Sequence, residues 1–395
     1  MKLLSLAAVS GVASACTSSA QQRNAPLIRI PAGQSVARFP EKEELILLTD
    51  RPPQLETPLF YFRQDFTPNE AFFVRWHFAG IPTTVDLASF RLNVKGHVEK
   101  SLSFSVDELK SKFEPATVVA VLQCSGNSRS FFQPPVPGGQ WQNGAVGNAR
   151  WKGVRLKDLL KESGVKAGAV QVSFAGLDEA PLSNMPKFVK ALDLDHAMSD
   201  EIIVAYEMND AALPMVNGFP LRLVVPGWFA TYWVKALNEI TVLESKFDGY
   251  WMEKAYRIPK NEFAEEMPDK LAKDTVPINR LNIRSLFVRP DPNDLVRAGN
   301  PFTVEGVAFD SGAGISKIEI SEDGGTSWKP AKIISELGNF AWYRWQYQWT
   351  PVSAGNYRLM ARATSKRGEV QTSTSRWNKG GYMRNVIEAL DVKVI

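Results

Sequence analysis

Chemistry in this chain has to come from a few side chains, and the first is Cys124. It opens the run Cys124-Ser125-Gly126-Asn127-Ser128-Arg129, directly after an apolar, largely β-branched stretch at 118–122. A thiol at a strand end, followed by a glycine turn and a guanidinium, has the elements that expose sulfur and favour the thiolate. Such a soft ligand suits redox metals carried in sulfur-rich cofactors. The loop equally admits a nucleophilic cysteine, although the sequence places no His or Asn partner, and a free cysteine also packs well in a core. The second group is Phe73-Val74-Arg75-Trp76-His77. Strand alternation puts Phe73, Arg75 and His77 on one face and Val74 and Trp76 on the other. An arginine and a histidine facing a dry core would be costly, so that face meets either an anion or solvent. Two further stretches are Trp141-Gln142-Asn143-Gly144 and Tyr206-Glu207-Met208-Asn209, the latter continuing to Asn217-Gly218-Phe219-Pro220-Leu221-Arg222. Each of these alone reads as packing plus turns.

These groups must be positioned by strands and short helices. The stretch at 118–122 is a buried strand that delivers the chain to Cys124, residues 156–160 form a short helix ended near Gly164, and residues 221–225 form a strand closed by Pro226-Gly227. Residues 21–70, interrupted by Arg51-Pro52-Pro53, read as an extended arm or surface wrap. An α+β domain is expected over roughly 40–260. Past a charged, proline-bearing crossing at 257–283, segments at 302–307, 318–320, 345–349 and 357–361 approach a period of two. Asp323-Gly324-Gly325 supplies a hairpin turn. Short strands at this spacing predict an immunoglobulin-like β-sandwich. The stripe Trp345, Tyr347, Trp349 is read as an inner sheet face rather than a binding platform. The division expected is a leader at 1–20, a catalytic domain at 21–275 and the sandwich at 276–395.

The whole chain sets bounds. Its 395 residues accommodate two or three domains, and its 46 basic and 42 acidic residues leave a net charge of +4, too balanced for a dedicated nucleic-acid binder. Lys2 precedes an apolar run at 3–15 that ends in Ala13-Ser14-Ala15-Cys16. This reads as a secretory leader, cleaved simply or at a lipoprotein site, and it places the protein in the periplasm. No stretch is long enough to predict a transmembrane segment. With Cys16 in or beside that leader, Cys124 has no partner for an intramolecular disulfide. Cys-x-x-Cys-His is missing, so no covalently attached c-type haem is expected, and His77, His97 and His196 are too few for a multi-histidine metal site.

Taken together, the Phe-Val-Arg-x-His strand, the Cys-x-Gly-Asn loop, Trp141, the Tyr-Glu-Met-Asn stretch and the Gly-Phe-Pro-x-Arg strand resemble the sulfite oxidase family of molybdopterin oxidoreductases, in its bacterial periplasmic sulfite dehydrogenase form. The resemblance runs over residues 40–395 and includes the C-terminal sandwich through Ser321-Glu322-Asp323-Gly324-Gly325-Thr326-Ser327-Trp328. It implies a mixed α/β molybdopterin-binding domain followed by an immunoglobulin-like dimerisation domain, and a molybdenum–molybdopterin cofactor. Carried over residue by residue, Cys124 stands at the metal-ligating cysteine. Arg75 and Arg129 match the anion pocket, Trp141 its aromatic wall and Tyr256 the active-site tyrosine. Phe73, His77, Asp178, Asn217, Arg222 and Lys235 fall at cofactor-binding positions. Ser128 replaces an arginine common in the family, Asn217 a histidine, Ala255 an aspartate and Trp76 an asparagine.

The activity implied is oxidation of sulfite to sulfate by oxygen-atom transfer, with sulfite oriented by Arg75 and Arg129. A separate periplasmic c-type cytochrome is the expected electron acceptor, because no haem domain is read ahead of the catalytic one. A homodimer through the C-terminal domain is implied by resemblance. The alternatives are a molybdopterin reductase of an S-oxide and a non-catalytic exported binding or scaffold protein. No Arg-Arg precedes Leu3, although folded export of such proteins usually uses a twin-arginine signal, so a start further upstream is expected.

Overall fold

The computed structural model describes residues 36–37, 39–292 and 294–395. The expected leader, with its cleavage site and Cys16, lies outside them. Residue pattern and structure meet first at the strand Pro115–Gln123, whose inner half is fully buried and whose end hands the chain to Cys124. It pairs along its whole length with Val146–Arg155, which in turn pairs with Ile203–Met208. The short strands Ala211–Ala212 and Arg222–Val224 both pair with Ile203–Met208 and complete this five-stranded sheet.

A second five-stranded sheet runs in the order Val189–Asp193, Gln171–Gly176, Leu237–Leu243, Leu92–Gly96, Leu102–Phe104. Its pairing of Leu237–Leu243 with Leu92–Gly96 is parallel and the others are antiparallel. Two short helices lie against these sheets. Val106–Lys112 begins with a reciprocal capping box between Ser105 and Glu108, which satisfies free amides at the helix start. Leu156–Ser163 buries Leu156, Leu159 and Leu160, and ends on Gly164 at φ 67°, a conformation that glycine adopts without strain.

The segment before residue 70 corrects the expected surface wrap. Leu45–Thr49 and Gln54–Glu56 join Val74–Arg75 in one sheet, and Leu45 and Leu55 pack with Val74, Trp76 and Val216 in a separate core cluster. Alternation buries the apolar side of these strands, so the arm is part of the domain. As expected, Val74 and Trp76 face that core, while Phe73, Arg75 and His77 face the other way.

Beyond the hairpin Arg257–Pro259/Thr275–Pro277, a seven-stranded sheet closes on itself as a sandwich in the order Arg284–Arg289, Phe302–Phe309, Tyr343–Trp349, Lys329–Glu336, Ile315–Ser321, Gly355–Ser365, Glu388–Val394. The strand Lys329–Glu336 pairs on both sides and so carries the chain between the two layers. Trp345 and Trp349 are buried in its core, as the inner-face reading predicts, whereas Tyr347 is half-buried and donates its hydroxyl to Glu322. The α+β domain followed by an immunoglobulin-like sandwich is the architecture expected. No helix of the described residues is long and apolar enough to cross a membrane.

Candidate active site

Cys124 is pinned at both ends of its loop. Its amide donates to the Ala145 carbonyl (2.9 Å), and its carbonyl accepts from the Asn127 amide (3.0 Å). The Asn127 side-chain oxygen accepts from the Ala145 amide (3.0 Å), which ties the loop to the facing 142–145 segment. That segment is held from behind by Glu56, whose buried carboxylate accepts from the Gln142 amide (2.9 Å) and the Gly144 amide (2.6 Å). Burial pushes the Glu56 carboxyl up to about 7 against the pull of those two amides.

Two connected spaces meet at the sulfur. The inner one is a slot lined by Phe73, His77, Ser125, Asn217, Arg222 and Lys235, with Arg75, Cys124 and Tyr256 at its junction with the outer one. Five residues bring buried polar atoms with no protein partner to this region: Arg75 Nη1, Ser125 Oγ, Asn217 Oδ1, Arg222 Nε and Thr231 Oγ1. Unsatisfied buried groups are expensive unless a ligand completes them. Arg222 forms no ion pair among the described residues; it donates to the Asn217 carbonyl (2.7 Å) and stacks over Trp151. Burial lowers its guanidinium to about 9. Lys235 donates to the Arg75 carbonyl (2.9 Å), and burial together with Arg222 holds its ammonium well below the usual lysine range. Two cations held this way, with unpaired polar atoms lining the same slot, suit a polar, anionic group. Asp178 does not line the slot; it stands behind Lys235 as a buried carboxyl raised by desolvation.

The outer space is a chamber of about 590 Å³ lined by Cys124, Arg75, Arg129, Trp141, Tyr256 and Tyr382. Tyr256, at φ 57°, brings its hydroxyl to within 2.6 Å of His77 Nε2. The imidazole is enclosed by Phe188 (stacked at 3.7 Å), Trp251 and Tyr256. Burial and the nearby cations Arg75, Lys235 and Lys190 hold it well below its usual range, so it is neutral, and burial likewise raises the Tyr256 phenol. Arg129 is engaged differently from Arg75: its guanidinium donates to the Gly139 carbonyl (3.2 Å) and the Gly380 carbonyl (3.0 Å). A Cβ on Gly126 would come within 2.4 Å of that guanidinium, so the Cys-x-Gly turn leaves room for it.

The structure therefore brings together ten of the eleven residues singled out in the sequence and puts Asp178 one layer behind. It adds residues that sequence reasoning passed over. Lys190 is fully buried, donates to the Trp251 carbonyl (2.7 Å) and lies over the rings of Tyr232 and Tyr256. The signal was present: Phe188, Lys190 and Leu192 alternate on the apolar face of one strand. Arg284 comes from the sandwich and bonds Ser128 Oγ (2.5 Å) and Asn143 Oδ1 (2.9 Å), so a guanidinium from another domain meets the serine that departs from the family pattern. Nothing in local spacing announces that contact.

Comparison with known proteins agrees with this geometry. Residues 78–251 match the family described as oxidoreductase molybdopterin binding domain, and residues 275–394 match the Mo-co oxidoreductase dimerisation domain. The chain is 32% identical to sulfite oxidase of Gallus gallus over 363 residues, covering 87% of this chain and 77% of that protein. It is 32% identical to mitochondrial sulfite oxidase of Mus musculus over 361 residues but spans only 63% of that protein's length. It is also 29% identical to the NADH nitrate reductase of Solanum lycopersicum, over 40% of that protein. The fold is shared with the sulfane dehydrogenase SoxCD from Paracoccus pantotrophus, with a TM-score of 0.77 at 24% identity, covering 97% of this chain and 94% of that one. The donor chemistry of the slot suits the molybdenum–molybdopterin cofactor of these matches: the Cys124 thiol could hold the metal, and Arg222, Lys235, Asn217, His77 and Phe73 could hold the organic part. The orphaned donors, the thiol and the two matched domains have one common explanation: this chain belongs to the sulfite oxidase family of molybdopterin oxidoreductases.

Proposed function

We propose that this protein oxidises sulfite to sulfate, passes the two electrons to a separate c-type cytochrome, and works in the periplasm as a homodimer built on its C-terminal domain. The observation that carries the reading is the convergence of the Cys124 sulfur, the unpartnered Arg75 guanidinium and the Tyr256–His77 pair on one chamber. The names of the 32%-identical relatives support sulfite as the donor, and the match to a dimerisation domain supports the dimer. The apolar run at 3–15 supports the periplasmic setting.

When bound, the cofactor supplies two-electron oxygen-atom transfer. The chain's own residues do the rest. Arg75 draws a doubly charged oxyanion in and orients it through charge-assisted hydrogen bonds. Trp141 and Tyr256 wall the chamber and limit water beside the reacting sulfur. Converting sulfite and water to sulfate releases two protons with the two electrons. Tyr256, 2.6 Å from His77 Nε2, stays protonated and His77 stays neutral, so this pair hydrogen-bonds at the chamber without taking up those protons.

The test uses purified, molybdenum-loaded protein, with metal content measured and sulfite-dependent reduction of ferricyanide and of cytochrome c followed. Turnover with about one molybdenum per chain, abolished in Cys124→Ser with the fold retained by circular dichroism, is expected. Loaded protein that reduces neither acceptor with sulfite would overturn the proposal, and full activity in Cys124→Ser would overturn the ligand assignment.

A further inference from the structure

We propose that Tyr382, carried to the chamber by the C-terminal domain, is a substrate-contacting residue whose hydroxyl binds the oxyanion alongside Arg75. The proposal rests on the sulfite reading above and deepens it, because it assigns part of the recognition to a second domain.

Tyr382 sits on a strap, residues 377–383, that leaves the sandwich and crosses the mouth of the catalytic domain. The strap is fastened along its length. Trp377 Nε1 donates to the Pro134 carbonyl (2.9 Å), the Lys379 amide to Glu266 (2.8 Å) and the Met383 amide to the Ser125 carbonyl (3.2 Å). Asn378 closes its turn by accepting from the Tyr382 amide (3.1 Å) and donating to the Tyr382 carbonyl (2.9 Å). The Ser125 contact ties the strap to the residue next to Cys124. A backbone held this firmly places its side chain with little freedom.

The ring of Tyr382 stacks on that of Tyr256, with centroids 5.6 Å apart and planes 13° from parallel. The Arg129 guanidinium lies 5.3 Å from its centroid on a face of the ring. Its hydroxyl lies in the field of Arg129, Arg75 and Cys124, and its oxygen is met by the Tyr256 backbone amide, which leaves its own proton to donate. No side chain or carbonyl among the described residues accepts its proton, and burial raises the phenol above its ordinary range, so it remains a donor at neutral pH. The other donors are partly committed. Tyr256 is bonded to His77, and Arg129 spends both terminal nitrogens on the Gly139 and Gly380 carbonyls. Arg129 Cγ and Nε press against Gly381, where a Cβ would stand 3.0 and 2.9 Å from them. Arg129 thus acts mainly as the clamp that positions the strap. Of the groups beside Cys124, Arg75 and Tyr382 are the ones whose outer donors are not given to a protein carbonyl or to His77.

Tyr382→Phe keeps the ring, the stack and the clamp while removing the hydroxyl. With the loaded holoenzyme, the sulfite KM should rise roughly tenfold or more, the scale of a hydrogen bond to a charged group, with kcat changed less than about twofold. The affinity for sulfate, followed by quenching of the chamber tryptophans, should fall by a similar factor. Unchanged KM and unchanged sulfate affinity in Tyr382→Phe, with molybdenum content equal to wild type, would overturn the proposal. If wild-type protein turns out not to oxidise sulfite, the sulfite reading falls by itself, and sulfate affinity alone then decides the role of Tyr382. Lys393→Gln, exposed on the last strand of the sandwich and lining neither space, serves as a control and should change the sulfate affinity little.

Discussion

Arg75 and Arg129 have the same chemistry and different surroundings, and the difference sets their roles. Arg129 gives both terminal nitrogens to carbonyls and lies against an aromatic face, leaving only its Nε without a partner, whereas Arg75 keeps a buried terminal Nη1 with none and meets the Tyr256 ring 6.0 Å from its centroid. A buried cation left open is stabilised by the anion it binds. Arg75→Met should therefore raise the sulfite KM by roughly 10-fold to 100-fold, on the scale of one or two charge-assisted hydrogen bonds. Steady-state kinetics on loaded protein checks this; an unchanged KM would show that the anion is bound elsewhere. Around these arginines the imidazole and phenol groups are uncharged, with His77 held neutral and Tyr256 protonated. An incoming oxyanion then meets positive charge and neutral donors, with no carboxylate on the lining of either space.

At the scale of elements, the cysteine loop is set by the segments that flank it. The strand Pro115–Gln123 fixes where the sulfur begins, and the 142–145 segment fixes how far the loop extends, through Ala145 and Asn127. Gly144 is the narrow point. A Cβ there would fall 2.0 Å from the Thr57 carbonyl oxygen and 2.7 Å from Glu56 Cγ, so any side chain must displace backbone. Overpacking of this kind costs about 1–3 kcal/mol. Gly144→Ala should lower thermal stability by several degrees and loosen the Glu56 clamp. Differential scanning calorimetry measures the first effect, and molybdenum retention measures the second. Wild-type values for both would show that the 142–145 segment does not set the loop.

Over the whole molecule, the two domains share the site. Arg284, buried at the start of the sandwich, pairs with Glu388 of its own domain (2.9 Å) and reaches Ser128 and Asn143 of the other. Arg384 also pairs with Glu388 (2.6 Å), and the Asn282 side chain donates to the Met383 carbonyl (2.9 Å). The sandwich is thus bolted to the back of the cysteine loop by Arg284 and to its front by the strap that carries Tyr382. Removing one partner of a buried pair costs about 3–5 kcal/mol, most of it from the groups left unpaired. Arg284→Met should destabilise the chain by an amount on that order, with the two domains losing structure in one transition. Denaturant unfolding followed by near-UV circular dichroism checks this. A change under about 1 kcal/mol would mean that the contact holds nothing together.

How much of this was legible beforehand depended on range. Short-range signals carried far: the run into Cys124, the alternation of Phe73, Arg75 and His77, the Gly164 stop and the period-two strands of the sandwich all follow from local pattern. The family resemblance, five motifs in order, brought Trp141, Tyr256, Asn217, Arg222 and Lys235 to the same place before any coordinates. Local composition failed for residues 45–56. Its prolines read as a wrap, but Leu45 and Leu55 close a core whose other half is more than fifteen residues further along the chain. It also failed for Tyr382, which lies 126 positions from the tyrosine it stacks on, and for Arg284, 156 positions from Ser128.

The amino-acid sequence by itself determined the thiol, the residue types around it and the two-domain order, because backbone period, turn residues and motif spacing act over a few residues. Only the tertiary structure decided which arginine is free to bind and which is a clamp. It also decided that Asp178 stands behind Lys235 and that the second domain supplies a tyrosine to the chamber. Those outcomes turn on which carbonyls and rings occupy a guanidinium's donors, and such partners come from anywhere along the chain.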